Sequence, residues 1–188
     1  IPAEQVNEYV RRDPSRYLGF AGVDPIAQDP KEAVATAREL GLVGVTISPA
    51  GAAFHPTHSR AMTLYQACEA AGLPVFFHTR LATPGPAVMS FARPDLLDEV
   101  AREFPELRMV IGQTGHPWTE ETLVLLTRHR HAYAELSGVA DRSWHLYNVA
   151  LAAYQQGVKD RLLLGSHFPF SSPEKVITAI YSINNFAK

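Results

Sequence analysis

A parallel α/β barrel of the TIM (β/α)8 type is the fold this sequence predicts, and three observations carry it. Six short apolar runs alternate with helix-patterned stretches, the order that builds a parallel sheet with right-handed crossovers. Most of the runs end on a polar group, as in Phe77-His78, Gly112-Gln113, Leu136-Ser137 and Gly165-Ser166-His167. Barrels place their sites in this way, at the carboxyl ends of the strands. Finally, an open nucleotide-binding sheet carries a glycine-rich turn after its first strand. Here Gly19-Phe-Ala-Gly22 lies within a strand, and neither G-x-G-x-x-G nor a Walker-type sequence occurs.

The elements follow in order. Pro2 opens a helix striped by Val6, Tyr9 and Val10, which Asp13-Pro14 ends, proline being suited to a first helical turn. Tyr17 to Val23 is the first strand. Asp29-Pro30 pairs an N-cap with proline at the first helical position, and Val34, Ala37 and Leu40 carry that helix to Gly41. Val43 to Ile47 is a β-branched strand. Ser48 to His58 is a loop, and Ser59 starts a helix with Met62, Leu64, Tyr65 and Cys68 on or near its buried stripe, closed by Gly72.

Val75 to Phe77 is apolar throughout, as a strand covered on both faces must be. Thr79 to Arg93 is the longest loop, a length that marks function in a compact domain. Pro94 to Phe104 is helical, Arg108 to Gly112 a strand, Thr119 to Arg128 a helix and Tyr133 to Leu136 a strand. Ser143 to Tyr154 is a helix, Leu162 to Leu164 the last strand and Pro173 to Asn184 the last helix. No linker or low-complexity segment interrupts residues 1–188, which read as one barrel domain.

Composition narrows the function classes. The chain has 188 residues, 46% hydrophobic and 19% charged, with a net charge of −2, so neither nucleic acid nor an anionic membrane is expected as a partner. No apolar run reaches the about 18 residues of a membrane span. The single cysteine, Cys68, lies in a helical pattern. Disulfides are not expected, and a reducing, cytoplasmic setting is.

The segments Tyr17-Leu-Gly-Phe-Ala-Gly-Val-Asp-Pro25, Gly72-Leu-Pro-Val-Phe-Phe-His-Thr79, Phe104-Pro-Glu-Leu-Arg-Met-Val-Ile-Gly112, Gly115-His-Pro-Trp118 and Leu163-Leu-Gly-Ser-His-Phe-Pro-Phe170 resemble the amidohydrolase-related (amidohydrolase 2) family. This is a metal-dependent TIM-barrel branch of hydrolases and decarboxylases, and the likeness runs in order over nearly the whole chain. It implies that the chain supplies strands three to eight of the barrel. The family's Asp-x-His-x-His strand, its second strand and its C-terminal Gly-Asn-Ala-type helix have no counterpart here. Six strands alone would leave two unpaired edges, a costly arrangement, so the sequence is expected to be part of a longer polypeptide.

The resemblance also implies a site. His78 stands where the family places a metal-ligating histidine, and neutral imidazole suits zinc, the expected divalent ion. Arg80 is expected to hold a substrate carboxylate. Gln113 stands where the family has histidine, and its amide can orient a substrate or polarise a carbonyl. His116, three residues on, is a candidate replacement ligand. His167 stands where the family has aspartate, as acid/base or replacement ligand; it cannot supply the aspartate's charge.

The other polar residues read as structural. His55 and His58 are loop histidines at the catalytic face. His129 and His131 are surface residues of the opposite face, and His145 covers the barrel exterior. Glu135 is a paired structural carboxylate. Trp118 and Trp144 are packing residues, with Trp144, Tyr147 and Tyr154 also candidates for a contact between subunits of a homo-oligomer. Two functions stay open: a hydrolase or decarboxylase of a small carboxylated or aromatic substrate with an atypical metal site, and a degenerate barrel that binds a ligand or partner without metal chemistry.

Overall fold

The computed structural model describes residues 1–79, 81 and 87–183. Helix α1 (Ala3–Val10) leads to β1 (Phe20–Gly22), then α2 (Pro30–Glu39), β2 (Gly44–Ile47), α3 (Ser59–Ala71) and β3 (Val75–Phe77). Helix α4 (Leu97–Glu103) precedes β4 (Met109–Ile111), α5 (Thr119–Arg128), β5 (Ala132–Glu135), α6 (Ser143–Gln155), β6 (Leu162–Leu163) and α7 (Pro173–Tyr181). The six strands form one sheet in the order β1-β2-β3-β4-β5-β6, and every pairing is parallel. Sequential parallel strands with a helix in each crossover are the barrel arrangement predicted from the sequence.

Strand ends are where sequence and structure part. β1 is shorter than Tyr17–Val23, and β5 starts one residue earlier than expected, at Ala132. Pro94 opens a 3₁₀ turn over Pro94–Leu96 before α4 proper, and Met89–Ala92 forms another 3₁₀ turn within the long loop. The last helix is described as far as Tyr181, while its expected end, Asn184, lies outside the described residues.

Period-two alternation sorts the strand residues onto two faces. Ala21, Val45, Val75, Phe77, Met109, Ile111, Ala132 and Ala134 are buried in one core that also takes Val34 and Ala37 of α2, Leu64, Tyr65 and Cys68 of α3, and Leu123 and Leu126 of α5. The alternate residues form the concave face. Gly22, Thr46, Phe76, Val110 and Tyr133 lie side by side in register across β1 to β5 and are only half-buried. Small residues there leave room for large neighbours. A β-carbon at Gly44 would meet the Phe20 ring at 2.3 Å, and one at Gly112 the Phe76 ring at 2.9 Å.

The ends of the helices confirm the capping logic. Asp29 Oδ1 accepts the backbone N–H groups of Lys31 and Glu32 at 3.0 and 2.9 Å, and Gly72 closes α3 in the left-handed conformation. Arg60 of α3 donates through Nε and Nη2 to the carbonyls of Pro25 and Gln28, both at 2.6 Å, tying the β1–α2 loop to the neighbouring helix.

Two expectations need correction. His129 and His131 are not plain surface residues: they are half-buried at the amino ends of the strands, His129 Nε2 lying 2.8 Å from Asp98 Oδ1 and His131 Nε2 3.4 Å from Glu106 Oε2. His58 stands in the loop as expected, and there it also caps α3, its Nδ1 accepting the Arg60 N–H. Trp144 is 69% exposed and therefore not a core packing residue, whereas Trp118 is half-buried with the Arg93 guanidinium over its ring.

Candidate functional site

The carboxyl ends of β3 to β6 surround a cavity of about 500 Å³ lined by His78, Gln113, Glu135, Ser137, Gly165 and His167, among others. A second cavity of about 570 Å³ shares His78 and continues beside Thr46 and Ser48 at the ends of β1 and β2. His78, Gln113 and His167 are therefore brought to one place by the fold, although 89 residues separate the two histidines (167 − 78).

Each side chain is held by the end of its strand. His78 extends β3: its N–H donates to the Ile47 carbonyl at 2.9 Å. Its ring sits 5.0 Å from that of Phe76. The next residue, Thr79, donates its hydroxyl to the Gly112 carbonyl at 2.6 Å, joining the ends of β3 and β4. Burial lowers the His78 pKa; Glu135 opposes that shift and His167 adds to it. The imidazole is thus neutral at neutral pH.

Gln113 ends β4 in the left-handed region at φ 52°, and Thr114 follows at φ 49°. Non-glycine residues rarely adopt this conformation and do so where their surroundings impose it. Here those surroundings are Glu135: its Oε2 accepts the Gln113 N–H at 3.1 Å, and its carbonyl accepts the Thr114 hydroxyl at 3.1 Å. Ser137 adds two more donors, its N–H to Oε1 at 2.6 Å and its hydroxyl to Oε2 at 2.8 Å. Glu135 is only 8% exposed, so its charge rests on these three donors, which is how a buried carboxylate is tolerated.

Glu135 is the residue that sequence reasoning undervalued. Its partners are structural, as expected, but it also lines the cavity and acts on His78. The alternation of Tyr133 and Glu135 with the buried Ala132 and Ala134 was the signal in the sequence that aims it inward.

His167 also stands in the left-handed region, at φ 55°. Its carbonyl accepts the Phe170 N–H at 2.9 Å, and its ring stacks on that of Phe170 at 5.0 Å. Phe168 and Phe170 are 76% and 74% exposed, so this turn forms a rim. Ser171, buried behind it, donates its hydroxyl to Asp141 Oδ1 at 3.2 Å, and Lys175 reaches the same oxygen at 2.7 Å. That ion pair first of all, with the Ser171 bond, holds Asp141 below the usual carboxylate range.

His116 goes elsewhere. Its Nδ1 lies 3.2 Å from His145 Nε2, and its Nε2 takes the Arg142 guanidinium at 2.8 Å. Both pKa values are lowered, chiefly by burial; His145 and Arg142 add to the shift of His116, and Arg142 to that of His145. His116 does not line the cavity of His78 and His167, because the turn over Gly112–Gly115 directs it toward α6. Arg80, the expected carboxylate anchor, lies outside the described residues.

A six-stranded parallel sheet with its polar residues gathered at the carboxyl ends defines a TIM-barrel protein. A profile described as Amidohydrolase matches residues 2–188, and the chain belongs to that family. An uncharacterized TIM-barrel protein from Bordetella bronchiseptica shares the fold at TM-score 0.77 and 24% identity, over 96% of this chain and 65% of its own. A probable 2-pyrone-4,6-dicarboxylic acid hydrolase from Acinetobacter baumannii, with citric acid bound, matches at TM-score 0.69 and 17% identity, over 97% of this chain and 72% of its own. A dihydroxybenzoic acid decarboxylase from Polaromonas, with bound manganese and 2-nitroresorcinol, matches at 0.68 and 18%, over 95% and 67%. No curated protein matches the chain. The chain thus forms a partial barrel, spanning about two thirds of the length of these structures. No helix among the described residues is long and apolar enough to cross a membrane.

The residues present do not make a metal centre of the kind bound in such relatives. Among the described residues no three histidine, cysteine, aspartate or glutamate side chains are placed to share one ion. His78 and His167 offer two imidazoles. Glu135, the carboxylate on the same cavity, accepts from Gln113 and Ser137, and a catalytic zinc site takes three protein ligands.

Proposed function

We propose that this chain carries the site of an amidohydrolase-family hydrolase or carboxy-lyase acting on a small carboxylated or aromatic substrate. The observation that carries this reading is the convergence of His78, Gln113 and His167 with a buried carboxylate on one cavity at the strand ends. In it His167 gives or takes the proton as the acid–base group of the site. Neutral His78 accepts a hydrogen bond from the substrate, and the Gln113 amide orients it. Arg80, two residues beyond His78 in sequence, anchors a substrate carboxylate.

A zinc ion held by His78, His167 and His116 was the expectation from family likeness. The placement of His116 against His145 and Arg142 speaks against that set. A homo-oligomer in the cytoplasm is part of the same reading. Trp144 and Tyr154, 69% and 68% exposed on α6, supply apolar surface for a subunit contact.

Turnover of a panel that includes 2,6-dihydroxybenzoate and 2-pyrone-4,6-dicarboxylate tests the reading. Activity on one class, reduced about 100-fold or more in His167→Ala, is the expected result. Ligand binding without turnover across the panel would instead establish a binding barrel. The replacement of an imidazole by the neutral Gln113 amide favours that second reading.

A further inference from the structure

We propose that Asp141 is a positioning residue for His167: its carboxylate, paired with Lys175, anchors Ser171 and through it holds the turn that presents the His167 imidazole at the mouth. This deepens the reading of His167 as the acid–base group and rests on it.

The turn is strained and has to be held. His167 stands in the left-handed region at φ 55°, a conformation that a non-glycine residue keeps only where its surroundings over-determine it. Its carbonyl accepts the N–H groups of Phe170 at 2.9 Å and Ser171 at 3.4 Å, which closes the turn on itself. Apolar burial of the rim adds little, because Phe168 and Phe170 are both exposed. Ser171 is the buried residue of the segment. While its N–H bonds to the His167 carbonyl, its hydroxyl bonds to Asp141 Oδ1 at 3.2 Å. One residue thus ties the back of the turn to a carboxylate on another loop.

That carboxylate is itself firmly planted. Asp141 follows Val139 and Ala140, which are buried with Leu136 and with Val176 of α7. The chain turns tightly there, Val139 and Ala140 both donating their N–H groups to the Leu136 carbonyl at 3.2 Å. From the first turn of α7, Lys175 reaches Asp141 Oδ1 at 2.7 Å, and Ser172 caps that helix by accepting the Lys175 N–H at 3.2 Å. Ser171 and Lys175 are therefore fastened to one oxygen, a charge-assisted arrangement stronger than a neutral bond. The ring lies within electrostatic reach of it: Lys175 foremost, then Ser171 and lastly His167 lower the Asp141 pKa against the effect of burial. Asp141 does not line the cavity, so its influence on the site passes through His167.

Nuclear Overhauser spectra of the full protein test this without a substrate. The His167 ring, assigned by the signal that His167→Ala removes, is expected to contact the Phe170 ring, whose centroid is 5.0 Å away. Ser171→Ala and Asp141→Ala are expected to lose that contact and to shift the His167 ring signals while those of His78 stay. Asp141→Asn keeps an acceptor for the Ser171 hydroxyl and is expected to retain the contact, a rescue that a loss of stability alone would not produce. Should Asp141→Ala fail to fold, Ser171→Ala decides: an unchanged ring contact there overturns the proposal. With a substrate from the panel, Ser171→Ala is expected to lower kcat about 10-fold with KM within about 2-fold, because a misplaced group costs rate more than binding. A lost ring contact with unchanged kcat upholds the positioning and removes His167 from the chemistry, so the two readings fail separately.

Discussion

The Glu135 carboxylate and the α-carbon of Gly165 are in direct contact: a β-carbon at position 165 would lie 1.5 Å from Oε1. The strand that presents His167 can therefore approach the one that carries Glu135 only because residue 165 has no side chain. Gly165→Ala must push the carboxylate off its donors as well as overfill the space. We expect a loss of about 2–4 kcal/mol of stability, from overpacking together with buried polar groups left unpaired. Urea unfolding measures it; a loss under about 0.5 kcal/mol would place Glu135 elsewhere.

Removing the carboxylate itself separates its parts. Glu135→Ala leaves three buried donors unsatisfied and should cost about 2–4 kcal/mol, whereas Ser137→Ala removes one hydroxyl donor and should cost about 1 kcal/mol. The ratio of the two, read from denaturant midpoints, reports whether Glu135 is the hub. Equal effects would reduce it to a partner of Ser137 alone.

Acid should weaken the fold in a defined window. Burial lowers the pKa of His78, His116 and His145, so the unfolded chain binds their protons more readily than the native one. Stability is then complete above the ordinary imidazole value near 6.5 and falls as pH drops below it. Asp98, held low mainly by its bond from His129, and Asp141, held low mainly by Lys175, give a separate loss only below about pH 4. Thermal midpoints between pH 8 and 3 should show two steps, the upper one smaller in His145→Asn. A flat profile from pH 8 to 5 contradicts the assignment.

Cys68 provides a local probe of the core. Burial pushes its thiol up to about 12, so a thiol reagent at pH 8 should label it only as fast as the protein unfolds. Labelling at the rate of a free thiol in the native state would mean that α3 opens locally.

The N-cap of α2 was legible in Asp29-Pro30, and its energy is open to test. Asp29→Ala loses the acceptor for the N–H groups of Lys31 and Glu32 and should cost about 1 kcal/mol. The midpoint of chemical unfolding is the readout.

The order and type of the elements could be read along the chain because each depends on neighbours in sequence. The 3.6-residue stripe of α3, the apolar run Val75–Phe77, the N-cap Asp29 and the C-cap Gly72 are short-range signals, and all stand where expected. The family likeness located His78, Gln113 and His167 at strand ends for the same reason. Ends of strands were less legible. β1 and β6 each have one partner in the sheet, and how far a strand runs depends on that partner.

Direction and company were decided only by the tertiary structure. His116 and Gln113 are three residues apart, yet the left-handed turn at 113 and 114 sends one imidazole to α6 and leaves the amide at the mouth. The weight of Glu135 lies in bonds to Gln113, 22 residues away, and in contact with Gly165 on the next strand. No periodicity encodes these, because they follow from strand register and from which side chains the register brings face to face. The sequence by itself determined that there is a barrel-type sheet with polar strand ends; packing between strands decided which of those ends share a charge.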